Sequence, residues 1–242
     1  MPFDIETGAL KHPYTDPFLA ATVDFVKAEV ARNPNFVFLA AGTMGGIGLT
    51  PADRAALGTQ YVDVGIAEEQ AVAMASGLAR GGARPIFGTY STFFQRVYDQ
   101  MSQDVAVNNN PAVFLSTYAT LYGMNDVTHL GFFDIPLFAN IPNLVFLAPA
   151  GLEEYLAVLR WALAQTAHPV MIRVPVMGYE TSPYPVRTDY SALNRYQVVT
   201  EGAEVAIIGA GNFAQMASDA AAELAKDGVH ATVINPIFLS GL

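Results

Sequence analysis

Strand-like apolar runs alternate with amphipathic helical segments along most of this 242-residue chain. Short continuous apolar runs are typical of buried strands, whereas apolar residues at three- and four-residue spacing indicate helices. The alternation predicts an α/β fold, a doubly wound parallel sheet with helices on both faces. The expected strands are 36–41, a run from 61, 84–90, 112–116, 144–147 and 170–174, and the expected helices are 16–33, a run after 68, 94–107 and 152–165.

The pattern changes after the last of these strands. Residues 175–194 are rich in Pro, Tyr, Ser and Thr and show no periodicity, which indicates a linker. A strand from Glu204, a helix at 214–226 and a strand at 231–234 then form a new unit. We expect a first domain over 1–180, a linker over 181–194 and the start of a second α/β domain over 195–242. So small a sheet is expected to pack on the first domain or to open a longer segment.

Charge and composition narrow the classes of partner. The net charge of −10 argues against nucleic acid or an anionic membrane, which both demand a basic face. The absence of cysteine excludes disulfides, thiolate metal sites and a cysteine nucleophile. The first residues show no basic and apolar leader pattern, so we expect a soluble cytoplasmic protein.

Two candidate binding sites, one for a dinucleotide and one for a metal, have only weak support in the sequence. Gly209-Ala-Gly211 follows an apolar strand and opens a helix, as a dinucleotide-binding turn does. That motif also needs an acid at the end of the next strand, where this chain has Asn235, so a plain tight turn is the better interpretation. The four histidines show no spacing typical of metal ligands, and we expect no metal held by this chain.

A carboxylate stands where the second strand meets its helix. The run Tyr61-Val-Asp-Val-Gly-Ile-Ala-Glu68 places Glu68 in the first helical turn, after a turn at Gly65. That position faces the carboxyl edge of the predicted sheet, where open α/β folds bind ligands. Taken alone, Glu68 is better explained as a helix N-terminal acid stabilised by the helix dipole.

Three further clusters also fall at strand ends. Tyr90, Phe93 and Arg96 lie at three-residue spacing, which can turn two rings and a guanidinium toward one pocket, although such aromatics are more often core. A long loop over 118–133 contains His129, a candidate proton-transfer or hydroxyl-binding group. Arg173 ends the strand at 170–174.

In this order and spacing the clusters resemble the pyrimidine-binding domain of the transketolase and 1-deoxyxylulose-5-phosphate synthase family. The family's Gly-Ile-Ala-Glu-Gln-His-Ala-Val is similar to Gly65-Ile-Ala-Glu68-Glu-Gln-Ala-Val here. Its Tyr-Ser-Thr-Phe-Leu-Gln-Arg-Ala-Tyr-Asp-Gln is similar to residues 90–100, and its Thr-His-Gln-Gly-x-Phe-Asp to residues 128–134. The resemblance covers about residues 14–180, and the unit after Glu201 resembles the opening of the family's third domain.

The resemblance implies a thiamine diphosphate enzyme. Glu68, in an apolar site that retains its proton, would hydrogen-bond the N1' atom of the cofactor's aminopyrimidine. The resemblance also assigns the cofactor contacts to Ile66, Tyr90, Phe93 and Arg96, and the substrate contacts to His129, Asn125 and Arg173. Asn125 stands where transketolases usually carry an aspartate, which leaves the acceptor sugar open.

A family member also needs a diphosphate site, which the resemblance places on a separate domain. That domain holds Mg²⁺ through Gly-Asp-Gly and an Asn about 25 to 30 residues later. No Gly-Asp-Gly occurs in this chain. We therefore expect the C-terminal subunit of a split transketolase, with Mg²⁺ held mainly by a partner chain and two copies of each chain in the assembly.

The resemblance leaves more than one reaction open. Synthase relatives bind substrate phosphate through two arginines, at positions that read Tyr118 and Val176 here. Arg173 is a possible substitute, and a structural ion pair is an equal alternative for it. We therefore expect transfer of a two-carbon ketol unit between sugars. The alternatives are a 2-oxoacid-using relative, either a synthase or a dehydrogenase beta subunit, and a non-catalytic homologue.

Overall fold

The first unit is a six-stranded parallel sheet. The computed structural model describes residues 4–7, 16–120, 127–175 and 177–240. The strand order is β2-β1-β3-β4-β6-β5, and every pair in this sheet is parallel. The strands are β1 (Phe36–Ala40), β2 (Tyr61–Asp63), β3 (Arg84–Tyr90), β4 (Val113–Thr117), β5 (Val145–Leu147) and β6 (Val170–Arg173). The predicted α/β class is confirmed.

Helices cover both faces of the sheet. The helices of this unit are α1 (Pro17–Arg32), α2 (Pro51–Leu57), α3 (Glu68–Arg80), α4 (Asp134–Phe138) and α5 (Leu152–Ala164). Phe38 of β1 packs in a core with α1 and α5, whereas its neighbour Leu39 packs in a second core with α3. Successive side chains of a strand point to opposite faces, so a strand buried on both faces reads as a continuous apolar run. Within the described ranges no helix combines the length and apolar character needed to span a bilayer.

Local sequence signals account for the first helices. Asp16 caps α1 by accepting hydrogen bonds from the backbone N–H groups of Phe18 at 2.8 Å and Leu19 at 3.3 Å. Thr50 and Asp53 form a reciprocal capping box at the start of α2, with a proline at the first helical position of each helix. α2 and α4 were not among the expected elements, because each is too short to show a helical period.

The helix expected at 94–107 has a different form. A 3₁₀ helix spans Ser91–Val97 and a π-helical segment spans Gln100–Ala106. In the 3₁₀ form residues three apart eclipse each other, which places Phe94 and Val97 together in the core. Phe94 contacts Phe87, with ring centroids 5.4 Å apart. The apolar spacing of this stretch therefore fixed its buried side and left the helix type open.

The second unit has one strand more than expected. It contains β7 (Gln197–Thr200), β8 (Val205–Ile208), α6 (Phe213–Lys226) and β9 (Ala231–Asn235), with strand order β7-β9-β8. β8 and β9 are parallel, and β7 is antiparallel to β9. β7 is short and carries polar residues at both ends, so its apolar pattern is weak.

The second unit packs on the first, which is one of the two outcomes expected for so small a sheet. Ala148 donates a backbone hydrogen bond to Ile237 at 2.7 Å, and Leu239 donates one to Phe146 at 2.8 Å. The expected linker at 181–194 contains no helix or strand and packs against α5. Its Tyr190 is fully buried, with the ring centroid 5.9 Å from that of Trp161.

The turn at Gly209 is tight for a packing reason. A Cβ atom on Gly209 would lie 2.5 Å from the carbonyl oxygen of Phe213, so the strand approaches α6 too closely for any side chain. Asn235, at the position where a dinucleotide fold would carry an acid, turns instead into the boundary between the two units.

A buried polar cluster joins the two units at that boundary. The Glu154 carboxylate oxygen Oε2 accepts hydrogen bonds from Ala150 N at 2.7 Å, Asn235 Nδ2 at 3.0 Å and the Tyr184 hydroxyl at 3.2 Å. Asn235 Nδ2 also donates to the Tyr184 hydroxyl at 2.7 Å. Burial raises the pKa of Glu154, and the three donors oppose that shift. The carboxylate thus ties together α5, the linker and β9.

We predict that Asn235→Asp destabilises the chain by about 2 to 4 kcal/mol at pH 8, because it removes a donor and places a second buried carboxylate beside Glu154. The loss should shrink toward pH 5, where one of the two acids takes up a proton and donates to the other. Chemical denaturation at both pH values measures the free energy of unfolding.

The exposed Asn35 provides the matched control for this substitution. Asn35→Asp should change the free energy of unfolding by less than about 0.5 kcal/mol. Equal losses for the two variants, or an Asn235→Asp loss that does not depend on pH, would show that the cluster does not hold the units together.

Candidate active site

Four strands deliver the candidate residues to one edge of the sheet. Ala40 of β1 pairs with Asp63 of β2, and Tyr90 of β3 pairs with Thr117 of β4. Because these strands are parallel, the loops that follow them leave from the same edge. The segments containing residues 42, 65–68, 91–96, 118–120 and 127–129 therefore meet there.

Asp63 organises the two glycine turns beside Glu68. Its Oδ1 atom accepts hydrogen bonds from Gly42 N at 2.9 Å and Gly65 N at 3.0 Å. Both glycines have positive φ, 70° and 72°, a region that other residues rarely adopt. The turn leaves Ile66 with 83% of its surface exposed, an apolar side chain presented at the sheet edge. Asp63 was not among the candidate residues, and its contact with Gly42 joins residues 21 positions apart in sequence.

Glu68 is the first residue of α3 and is buried. Only 2% of its surface is exposed, so it does not point outward into water. Arg96 Nη1 lies 3.1 Å from Glu68 Oε2, and the Arg96 side chain is 51% exposed. The site expected to be apolar therefore contains a paired positive charge. The three-residue pattern after β3 gave no sign that Arg96 would contact Glu68, because the two residues are 28 positions apart.

Aromatic rings cluster around Tyr90. The centroids of Phe93, Tyr118 and His129 lie 5.4 Å, 5.1 Å and 5.4 Å from that of Tyr90, and Phe93 and His129 are 5.2 Å apart. These separations are typical of favourable edge-on and tilted ring contacts. Burial raises the pKa of the Tyr90 hydroxyl, which keeps it protonated at neutral pH.

The loop after β1 packs directly on this cluster. A Cβ atom on Gly46 would lie 2.5 Å from Cζ of the Tyr90 ring, so any side chain there would push the ring out of its present position. Thr43 Oγ1 lies 3.0 Å from Thr89 Oγ1, one residue before Tyr90. The sequence showed a glycine-rich loop at 42–48, but its contact with Tyr90 is visible only in the folded chain.

The loop that carries His129 is held at both ends. Tyr118 has a positive φ of 51°, and a Cβ atom on Gly131 would lie 2.6 Å from the Tyr118 carbonyl oxygen. Thr92 Oγ1 donates to the Thr128 carbonyl at 3.2 Å, and Thr128 Oγ1 lies 2.8 Å from His129 Nδ1. The His129 ring is therefore oriented by its neighbour as well as by Tyr90 and Phe93. Asn125 lies outside the described residues.

Arg173 forms a buried ion pair. Its Nε atom lies 2.5 Å from Asp134 Oδ2 and its Nη2 atom 3.2 Å from Oδ1, a two-point contact at the start of α4. Only 9% of Arg173 is exposed. Of the two interpretations of Arg173, the structure shows the ion pair. The substrate contact stays a prediction.

No group of three or more acidic, histidine or cysteine side chains suited to a metal occurs among residues 4–7, 16–120, 127–175 and 177–240. The described part of this edge accordingly offers one buried acid, one half-exposed arginine, an aromatic cluster and one histidine. Such a set can receive a flat heterocycle and hydrogen-bond it at one point.

Comparisons with known proteins identify both parts of the chain. Residues 18–181 match the transketolase pyrimidine binding domain, and residues 194–242 match the transketolase C-terminal domain. The 1-deoxy-D-xylulose-5-phosphate synthase of Clostridium acetobutylicum is 34% identical over 98% of this chain, and that of Thermomicrobium roseum is 36% identical over 100%. The chain spans only 38% and 39% of the length of these two relatives.

Solved structures show the same fold. A split-gene transketolase, solved as an inactive beta4 tetramer, superposes with a TM-score of 0.74 over 90% of this chain and 70% of its own, at 22% identity. A Pichia stipitis transketolase in complex with sedoheptulose 7-phosphate gives a TM-score of 0.79 over 94% of this chain and 35% of its own, at 16% identity. With two matching domains in the expected order and the fold in agreement, the chain belongs to the transketolase family of thiamine diphosphate-dependent enzymes.

Proposed function

We propose that this chain is the pyrimidine-binding component of a thiamine diphosphate-dependent transferase that moves a two-carbon ketol unit between sugars. The observation that carries the proposal is the buried carboxylate of Glu68 at the carboxyl edge of the sheet. Glu68 is 2% exposed and contacts Arg96 of the 3₁₀ helix that follows β3. An acid in this position suits one hydrogen bond to a ring nitrogen.

The described residues fit the pyrimidine half of the cofactor. Tyr90 and Phe93 form a wall of two mutually perpendicular rings, and Ile66 presents an exposed apolar side chain at the same edge. We assign Glu68 the hydrogen bond to the N1' atom and Arg96 the orientation of Glu68. When bound, thiamine diphosphate supplies the electron sink that breaking and forming the carbon–carbon bond requires.

We assign the substrate to the loop at residues 118–131. We assign His129 a hydrogen bond to a hydroxyl or carbonyl oxygen and a proton transfer there, and its contacts with Thr128, Tyr90 and Phe93 support this role. Asn125 is assigned a second substrate contact from its place in the family motif. Arg173 acts through Asp134 and supports the end of this loop, with its Nη2 atom 3.5 Å from the Gly131 carbonyl.

We place the diphosphate and Mg²⁺ on another polypeptide or chain segment. The curated relatives are more than twice as long as this chain, which covers 38% of the first. A transketolase from a split gene has the same fold, which supports a two-chain arrangement, and we propose two copies of each chain. A neighbouring open reading frame with Gly-Asp-Gly and a downstream Asn would identify the partner.

A second candidate is a 2-oxoacid-using synthase. The 34% and 36% identities to 1-deoxy-D-xylulose-5-phosphate synthases favour it. Against it, Tyr118 occupies a position where those synthases are expected to carry a phosphate-binding arginine, and it packs on Tyr90. The reconstituted pair of chains should be assayed with xylulose 5-phosphate and with pyruvate. If the enzyme uses pyruvate and does not use xylulose 5-phosphate, the synthase replaces the ketol-transfer proposal.

We predict that Glu68→Gln lowers kcat of the reconstituted enzyme by at least about 100-fold, because an amide cannot transfer a proton to the pyrimidine. Single-turnover and steady-state assays with saturating cofactor measure the effect. The protein should fold normally, since glutamine has the size of the glutamate that it replaces.

Glu69→Gln is the matched control, since Glu69 is the next residue of the same helix end and is only partly buried. It should retain activity within about twofold. Unchanged activity for Glu68→Gln in an active complex would eliminate the catalytic assignment and favour a scaffolding homologue.

We predict that His129→Ala lowers kcat/KM by about 10²- to 10⁴-fold, the usual contribution of a positioned proton donor or acceptor. Cofactor affinity should stay within about threefold, because His129 is assigned to the substrate. His230→Ala, which alters an exposed histidine of the second unit, should leave both constants unchanged. A loss confined to cofactor affinity would move His129 from the substrate to the cofactor.

A further inference from the structure

We propose that Arg96 is a positioning residue that holds Glu68 ionised before the cofactor binds, so that cofactor binding takes up one proton from solution. This inference rests on the proposed function. It also means that the affinity for the cofactor depends on pH through one ion pair of this chain.

The two partners differ sharply in exposure. The Glu68 side chain is 2% exposed and that of Arg96 is 51% exposed, with 3.1 Å between Nη1 and Oε2. A buried carboxylate keeps its charge only when a counter-ion or several donors compensate for the lost water. Arg96 provides that charge from the rim of the site, where its own guanidinium still reaches solvent.

Other charged and titratable groups lie on the elements around Glu68. They are Glu69 and Arg80 on the same helix, Asp63 at the end of β2, Arg84 and Tyr90 on β3, Asp99 just before the π-helical segment, Asp104 within it, and His129 in the aromatic cluster. Asp63 accepts the backbone N–H groups of Gly42 and Gly65, and Arg84 donates to the Leu163 carbonyl. Among the described residues, Arg96 forms the ion pair with Glu68.

The role assigned to Glu68 requires a proton that the ion pair does not contain. An ionised carboxylate only accepts hydrogen bonds, whereas a donor to a neutral ring nitrogen must be protonated. Arg96 contacts Oε2, and we assign the other oxygen, Oε1, to the cofactor. When the pyrimidine binds, one proton therefore passes from solvent to the Glu68–pyrimidine hydrogen bond, and no other bond changes.

The first test uses this chain alone and does not depend on any activity. At pH 8, Arg96→Met should lower the folding equilibrium constant at least about tenfold, and by less than about threefold in a Glu68→Gln background. The Arg96→Met loss should shrink toward pH 5, where the unpaired acid can fold with its proton. Additive single and double variants, or a loss that does not depend on pH, would overturn the ion pair as the state of the free chain.

The second test measures proton uptake when thiamine diphosphate and Mg²⁺ bind to the reconstituted complex. Calorimetry at pH 8 in two buffers of different ionisation enthalpy should give about one proton more for wild type than for Glu68→Gln. Arg96→Met should reduce this excess by at least half, because it removes the counter-ion that compensates for the buried charge of Glu68 in the free site. Arg96→Lys should retain the excess proton uptake of wild type, because lysine keeps the positive charge. Titration of the cofactor's own phosphate is common to all variants and cancels in the differences.

Arg32→Met is the matched control. Arg32 is an exposed arginine that pairs with the buried Glu29 far along α1, with side chains 69% and 4% exposed. Its loss should lower stability and leave proton uptake unchanged. Equal uptake in wild type and Arg96→Met would overturn the proposal, even if Glu68→Gln abolished turnover. Conversely, an active Glu68→Gln enzyme would refute the proposed function. The unfolding measurements on the single and double variants would still test the ion pair.

Discussion

The parallel pairing of β2, β1, β3 and β4 is the constraint on which the candidate site depends. Parallel strands all end at one edge, so four loops distant in sequence are brought side by side without any contact between them having to be specified locally. Within that edge, short-range devices set the finer geometry. Asp63 fixes two glycine turns, and the close approach of Gly46 to Tyr90 fixes one ring. The sheet positions the segments, and these contacts orient the side chains.

Under the proposed function, this chain serves one half of a cofactor. The described residues bring a buried acid, an aromatic wall and a histidine together, and they include no carboxylate cluster suited to Mg²⁺. The chain spans 38% of the length of a longer relative. In the proposed arrangement, affinity for the whole cofactor is built from two surfaces, with the charged tail and the ring bound by different chain segments.

Two buried carboxylates show how differently a fold can satisfy the same group. Glu154 is held by three neutral donors and joins two structural units, so its surroundings favour rigidity. Glu68 is held by one half-exposed guanidinium at the carboxyl edge of the sheet, a partner that several fixed donors do not reinforce. Several fixed donors suit a structural joint, and one half-exposed cation suits the change of partner that we propose for Glu68.

Much of this protein was determined by the sequence alone. The apolar runs predicted the α/β sheet, because a strand buried on both faces has to be apolar throughout, and the ordered motifs around Glu68, Tyr90 and His129 indicated the family. Only the tertiary structure decided that Arg96 pairs with Glu68, that Arg173 pairs with Asp134 and that Asn235 joins Glu154. Each of these contacts links residues at least 28 positions apart, and periodicity reports which face a residue occupies without reporting which residue it meets there.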